Sequence, residues 1–254
     1  MNYGQYKRLF GLIGYPLKHS SSQSFFNMKF ESEGIDARYV NFEIPSIDKL
    51  DEVLAAHSNL TGFNVTIPYK ELVIEHLDAI DPEAKAIGAV NVVKVFKQPD
   101  GSRTLKGYNS DAIGFGDSIR PLLDSEIHRR ALVLGTGGAS KAVIHALGAL
   151  DVSCTKVSRT AKPDAITYAD VTPELLADYK VIVNTTPLGM YPNVDACPDI
   201  PYEALTPQHI CYDLLYNPQT TLFMKKAEAA GAVVKNGLEM LLLQAFVSWN
   251  IWNK

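Results

Sequence analysis

The stretch RALVLGTGGASKAVIHALGAL, residues 130–150, decides the architecture. Its first five residues, apolar after Arg130, form a run of strand length. Residues 135–139 make a tight glycine loop, and residues 140–150 repeat apolar positions with the period of a helix. Glycine lets a backbone turn sharply and approach a pyrophosphate, whose charge the following helix N-terminus stabilises. The loop is a variant of G-x-G-x-x-G with Ala142 near the last small position. Gly135, Gly137, Gly138 and Ala139 are therefore candidate dinucleotide contacts. A βα turn needing glycine for geometry alone would look the same in isolation; the flanking strand and helix favour the nucleotide reading.

Working outward, residues 155–158 read as the next strand, ending in Ser158-Arg159-Thr160 with Lys162 two residues on. An NAD site usually ends this strand in an acid that bonds the ribose 2′-hydroxyl. No acid stands at this tip, and a guanidinium can grip a 2′-phosphate bidentately and stack on adenine. Ser158, Arg159, Thr160 and Lys162 thus point to NADP as the cofactor, with a solvated surface arginine as the plain alternative. Residues 180–184, 210–214 and 232–235 are further strands and 220–230 a helix, at spacings that suit right-handed crossovers in a parallel sheet. A last helix over 238–252 carries Leu, Phe and Trp around most of its circumference, which predicts that much of it is buried.

Upstream, strands at 8–13, 38–44, 62–67, 89–96 and 103–105 alternate with helices at 24–33, 47–57 and 69–77. A turn at Gln98-Pro99-Asp100-Gly101 precedes the last of these strands. The alternation predicts an α/β layer fold. With 254 residues, 46% of them hydrophobic and 20% charged, the chain can bury one large or two smaller cores. A net charge of -4 gives no basic excess for nucleic acid or an anionic membrane, so an anionic ligand must be met by a few placed cations. Cys154, Cys197 and Cys211 lack metal or disulfide spacing, so no metal is expected and a reducing cytoplasm is. The first ten residues are polar, unlike a signal peptide, and no apolar run approaches the ~20 residues of a membrane span.

Polar clusters punctuate the ends of the early strands. Ser20 and Ser22, two apart on an extended loop, can bind a carboxylate or simply cap the next helix. In Asn64-Val65-Thr66-Ile67-Pro68-Tyr69-Lys70, Asn64 and Thr66 share one strand face. Lys70 falls in the expected first turn of a helix, where the macrodipole disfavours a cation. A residue kept against a local rule is a functional suspect, although an exposed lysine is the bland reading. Asn91 adds an amide, and Asp111 adds a carboxylate that would otherwise be a helix N-cap.

Taken in order, these motifs resemble the shikimate dehydrogenase family: Gly14–Ser22, Asn64–Lys70, Gly88–Asn91, Gly107–Asp111, Gly135–Ala139, Arg159-Thr160, Tyr216–Thr221 and Asn236–Gln244. The resemblance implies NADPH-dependent reduction of 3-dehydroshikimate to shikimate. It also implies that Ser20, Ser22, Asn64, Thr66, Asn91 and Gln244 hold the substrate with Tyr216 nearby, and that Lys70 and Asp111 form the catalytic pair. Gly135, Gly137, Gly138, Ala139, Arg159 and Thr160 then fall on the cofactor side. Thr185 and Thr186 either line the nicotinamide or merely exit a strand; Gly237, before the last helix, is counted with the cofactor contacts. Ser110, Ser158, Gln23 and Glu239 depart from the family pattern, where Thr, Asn, Pro and Gly are usual.

Gln244 lies on the final helix yet is expected on a ligand held by residues 20–111. The expected organisation is therefore an α/β substrate domain, 1–111 with 236–254, and a Rossmann-type NADP-binding domain, 112–235, with a cleft between them that closes on ligand. The small-molecule partners are shikimate and 3-dehydroshikimate; monomer and homodimer both stay open. Rival readings are a quinate or quinate/shikimate dehydrogenase and a noncatalytic nucleotide or metabolite sensor. A sensor would need neither Lys70 nor Asp111.

Overall fold

A computed structural model describes residues 3–17 and 20–254. The chain divides into two compact units, Met1–Ser110 with Ala245–Lys254, and Asp111–Gln244.

In unit one, β1 (Arg8–Gly14), α1 (Ser22–Ser32), β2 (Ala37–Glu43), α2 (Leu50–Ala56) and β3 (Leu60–Val65) follow in turn. Then come β4 (Ala79–Ile80), α3 (Pro82–Ile87), β5 (Val92–Lys97) and β6 (Arg103–Tyr108). The strands form one sheet in the order β2-β1-β3-β5-β6-β4. β2, β1 and β3 run parallel, whereas β5 pairs antiparallel with both β3 and β6. The alternation of side chains along each strand divides the core between the two faces. Leu9, Ile13, Phe63, Val65, Val93 and Val95 belong to one cluster. Phe10, Leu12 and Val92 belong to the other, with Phe26, Phe30, Tyr39, Ala245 and Trp252.

Trp252 closes that second cluster. Its ring lies 4.8 Å from Phe10 and its Nε1 donates to the Val93 carbonyl at 3.0 Å. A side chain at position 62 would prevent this, because a β-carbon there would stand 2.4 Å from the indole.

One sequence expectation fails here. Residues 69–77 do not form an α-helix; a turn at Lys70 leads into a short 3-10 helix, Leu72–His76. The Lys70 carbonyl accepts from Val90 N–H at 2.8 Å, and Ile74 N–H donates to Glu71 instead. Tyr69 is tied away by its hydroxyl on the Ile44 carbonyl at 2.7 Å. Tertiary bonds thus take the carbonyl an α-turn would use. Lys70 is not in a first helical turn, and the macrodipole argument for singling it out falls.

Unit two contains α4 (Asp111–Ile119), β7 (Arg130–Leu134), α5 (Gly138–Gly148), β8 (Ser153–Ser158), β9 (Ala165–Thr167) and α6 (Pro173–Asp178). It continues with β10 (Val181–Asn184), β11 (Ile210–Asp213), α7 (Leu222–Ala229), β12 (Val233–Lys235) and the start of α8 (Leu238–Asn253). Its sheet order is β12-β11-β10-β7-β8-β9, parallel throughout. The chain begins at the centre with β7, winds to one edge, returns to β10 and winds to the other. That is the doubly wound, Rossmann-type order, and its switch point lies between β7 and β10.

The boundary between the units falls inside α8, between Gln244 and Ala245. α8 is less enclosed than its composition predicts. Met240, Ala245, Ser248 and Trp252 are buried, but Leu238, Leu242 and Phe246 are exposed along a four-residue spacing. Among the described residues, no helix is long and apolar enough to cross a membrane.

Candidate active site

β7 delivers the chain into the glycine loop at the switch point, outside the carboxyl ends of the strands, where open α/β sheets bind ligands. Gly135 has φ +116°, a region L side chains rarely adopt, and a β-carbon there would lie 2.5 Å from Thr185 Oγ1. α5 starts at Gly138, two residues earlier than expected, with Gly137 as its N-cap and no side-chain cap. A β-carbon on Gly137 would meet nothing within 4 Å, so open space lies over this helix start. An uncapped N-terminus beside open space suits a pyrophosphate. Ser140 Oγ braces the turn by donating to the Gly137 carbonyl at 2.7 Å.

At the end of β8, Ser158 is buried and Arg159, Thr160 and Lys162 are exposed. Lys162 Nζ donates to Thr136 Oγ1 at 2.8 Å, which brings a second cation against the glycine loop. An acid does occur nearby, Asp164, but it is paired with Lys156. That bond holds its carboxyl below the usual range. The free charge at this tip is therefore cationic, which fits a 2′-phosphate.

The second loop at the switch point leaves β10. Thr185 donates its hydroxyl to the Leu134 carbonyl at 2.7 Å, and Thr186 donates its own to Asn184 Oδ1 at 2.6 Å. Both hydroxyl protons are thus spent on holding the loop. Asn184 donates in turn to Asp213 Oδ1 at 3.0 Å, and Thr221 donates to Asp213 Oδ2 at 2.6 Å. Burial pushes the Asp213 carboxyl up to about 6, against the lowering effect of these donors. Gly237 is buried, with its N–H on the Leu215 carbonyl at 2.9 Å.

In unit one, several expected substrate residues belong to one buried hydrogen-bond network. Asn64 Nδ2 donates to the Asn91 carbonyl at 3.1 Å and to Ser248 Oγ at 3.0 Å. Tyr39 donates its hydroxyl to Asn64 Oδ1 at 2.9 Å. Ser22 is hydrogen-bonded to the Tyr39 side chain, whose pKa burial raises far above its ordinary value. Asn91 Nδ2 donates to Ser110 Oγ at 3.0 Å, and Ser110 N–H donates to Asn91 Oδ1 at 2.7 Å. The Ser110 and Ser248 hydroxyls lie 3.1 Å apart.

Thr66 lies one residue beyond β3, with its N–H on the Ile13 carbonyl at 2.9 Å. Ser20 Oγ accepts from Ser22 N–H at 3.3 Å, which supports the first turn of α1. Lys18 and His19, in the same motif, lie outside the described residues. Lys70 is half-buried in unit one. In unit two, Asp111 is buried as the first residue of α4, Tyr216 is half-buried past β11, and Gln244 Nε2 donates to the Leu241 carbonyl at 2.8 Å. Sequence reasoning missed Tyr39 and Ser248. The sign for Ser248 was present, as the one hydroxyl in the otherwise apolar run Ala245–Trp249; nothing distinguished Tyr39 from a core aromatic. Among the described residues no cluster of His, Cys, Asp or Glu could hold a metal.

Comparison with known proteins identifies the family. Residues 12–93 match the shikimate dehydrogenase substrate binding domain. The shikimate dehydrogenase (NADP(+)) of Methanococcus aeolicus is 36% identical over 96% of this chain and 91% of its own. The Aquifex aeolicus shikimate dehydrogenase structure superposes with a TM-score of 0.83 at 35% identity, covering 100% of this chain and 94% of that one. The Thermus thermophilus enzyme, solved in complex with NADP(H) and shikimate, gives 0.81 at 32% identity over 96% of this chain and 93% of that one. With identity at this level along nearly its whole length, the chain belongs to the shikimate dehydrogenase family.

Proposed function

We propose that this chain is an NADP-dependent oxidoreductase that interconverts 3-dehydroshikimate and shikimate, a step toward aromatic amino acids. The observation that carries the reading is the pairing, in one chain, of a doubly wound unit whose glycine loop ends beside a cationic strand tip with a second unit rich in buried amides and hydroxyls. Unit two is the dinucleotide-binding domain and unit one, with the end of α8, the substrate domain.

Gly135, Gly137, Gly138 and Ala139 would hold the pyrophosphate, and Ser158, Arg159, Thr160 and Lys162 the adenosine 2′-phosphate. Thr185, Thr186 and Gly237 complete the cofactor side. Bound NADP supplies the hydride-carrying nicotinamide. Ser20, Ser22, Asn64, Thr66, Asn91, Tyr216 and Gln244 bind and orient the ring acid. Lys70 supplies the cation that stabilises charge developing on the carbonyl oxygen and the proton that the new hydroxyl needs. Asp111 orients Lys70 and accepts from a ring hydroxyl. The reaction and the three unpaired thiols both suit a reducing cytoplasm.

The test is nicotinamide absorbance with shikimate, quinate and 3-dehydroshikimate, each with NADP(H) and NAD(H). Turnover of shikimate with NADP, faster than with NAD or with quinate, is the expected result. Equal use of quinate would broaden the substrate. Silence with every combination would leave a binding protein instead.

A further inference from the structure

We infer that Tyr39 and Ser248, neither of which is proposed to touch the ligand, are positioning residues that set the polarity with which Asn64 meets the substrate. The inference rests on the functional reading above.

A side-chain amide has two donor hydrogens and one oxygen with two lone pairs. The atom of Asn64 that faces the Asn91 carbonyl must be nitrogen, because a carbonyl can only accept. The other hydrogen on that nitrogen goes to Ser248 Oγ. Both donors are thus consumed within the protein. The Tyr39 hydroxyl occupies one lone pair of the oxygen. What Asn64 has left is a single acceptor site, so it recognises a hydroxyl hydrogen and turns away a carboxylate or ketone oxygen.

Ser248 is fully buried and sits where this arrangement is decided. Besides accepting from Asn64, its Oγ lies 3.1 Å from Ser110 Oγ, close enough for either hydroxyl to donate to the other. Ser110 Oγ also accepts from Asn91, so the same hydroxyl pair links the two substrate-side amides. The hydroxyls of Ser22, Tyr39, Ser248 and Ser110, with the amides of Asn64 and Asn91, form one continuous hydrogen-bonded chain. Linked hydrogen bonds of this kind polarise one another and act together. Without Ser248 one amide hydrogen loses its partner; without Tyr39 the amide oxygen loses the donor that holds it. Either loss lets the amide turn.

The experiment compares wild type with Ser248→Ala, Tyr39→Phe and the double variant, with Ser248→Thr as the variant that keeps the hydroxyl. Steady-state constants for shikimate and NADP are read beside melting temperature. The expected result for each single variant is a KM for shikimate raised about ten-fold, the worth of about one buried hydrogen bond. Turnover stays within about two-fold and the KM for NADP is unchanged, the signature of lost uniform substrate binding. The double variant is expected to be no worse than the worse single one, because both changes release the same amide. Ser248→Thr is expected to recover most of the loss. An unaltered KM for shikimate in either folded single variant overturns the inference, and so does an equal rise in both KM values. If Ser248→Ala does not fold, Tyr39→Phe decides alone. Wild-type protein that leaves shikimate unturned would instead remove the functional reading beneath it.

Discussion

At the scale of single residues, two charges carry most of the proposed chemistry. Lys70→Ala is expected to lower turnover at least ~100-fold with little change in shikimate affinity, the usual scale for a lost general acid. Stopped-flow turnover together with equilibrium binding checks this, and wild-type turnover in that variant would end its catalytic assignment. Arg159→Ala is expected to weaken NADPH binding about 10- to 100-fold, the loss of a charge-assisted bidentate contact, while NADH binding changes far less. Titration of both nucleotides separates a phosphate ligand from an ordinary surface arginine. Lysine, aspartate and arginine at motif positions are visible in a sequence because their chemistry is rare at such places. Tyr39 was not visible, since a buried tyrosine on an alternating strand looks like core, and its meaning comes from Asn64, which lies far along the chain.

At the scale of elements, close approach decides what may be replaced. Gly62→Ala would drive a methyl into the Trp252 indole and is expected to cost about 1–3 kcal/mol by overpacking. Trp252→Ala would uncover Phe10 and leave a cavity, at about 3–5 kcal/mol. Urea unfolding of both variants checks the order. Strands were the most legible elements, because runs such as Val181, Ile182 and Val183 are apolar and buried throughout. Residues 69–77 were read as one helix, whereas only Leu72–His76 is helical, as a 3-10 helix, because the bond that diverts the Lys70 carbonyl comes from Val90, outside any local window. The three-residue β9 and the short α6 also escaped notice. β9 has too few residues for a period to show, although Thr172 and Pro173 do mark the start of α6.

At the scale of the molecule, Asp213 links stability to pH. Its carboxyl is fully buried at the end of β11 and raised to about 6. A raised folded-state value means the stabilising contribution is complete below the unfolded value near 3.8 and is lost as pH rises through about 6. The stability of wild type relative to Asp213→Asn is therefore expected to fall between pH 4 and pH 7, by at most about 3 kcal/mol. Denaturant melts of both proteins at the two ends of that range test it; a constant difference would contradict the assignment. The Rossmann-type class was legible from one glycine loop and the spacing of the later strands, whereas the full strand order was not, because its edge strand β9 went unseen.

Unit one is stitched from two pieces of chain with all of unit two between them. During synthesis its strands therefore emerge with the rings of Phe10, Phe26 and Tyr39 still lacking the helix that carries Trp252. At ordinary elongation rates the ribosome needs on the order of ten seconds to make the intervening polypeptide. For that interval the nascent protein displays an aromatic surface, which gives chaperones a reason to attend it until the segment that carries Trp252 has emerged.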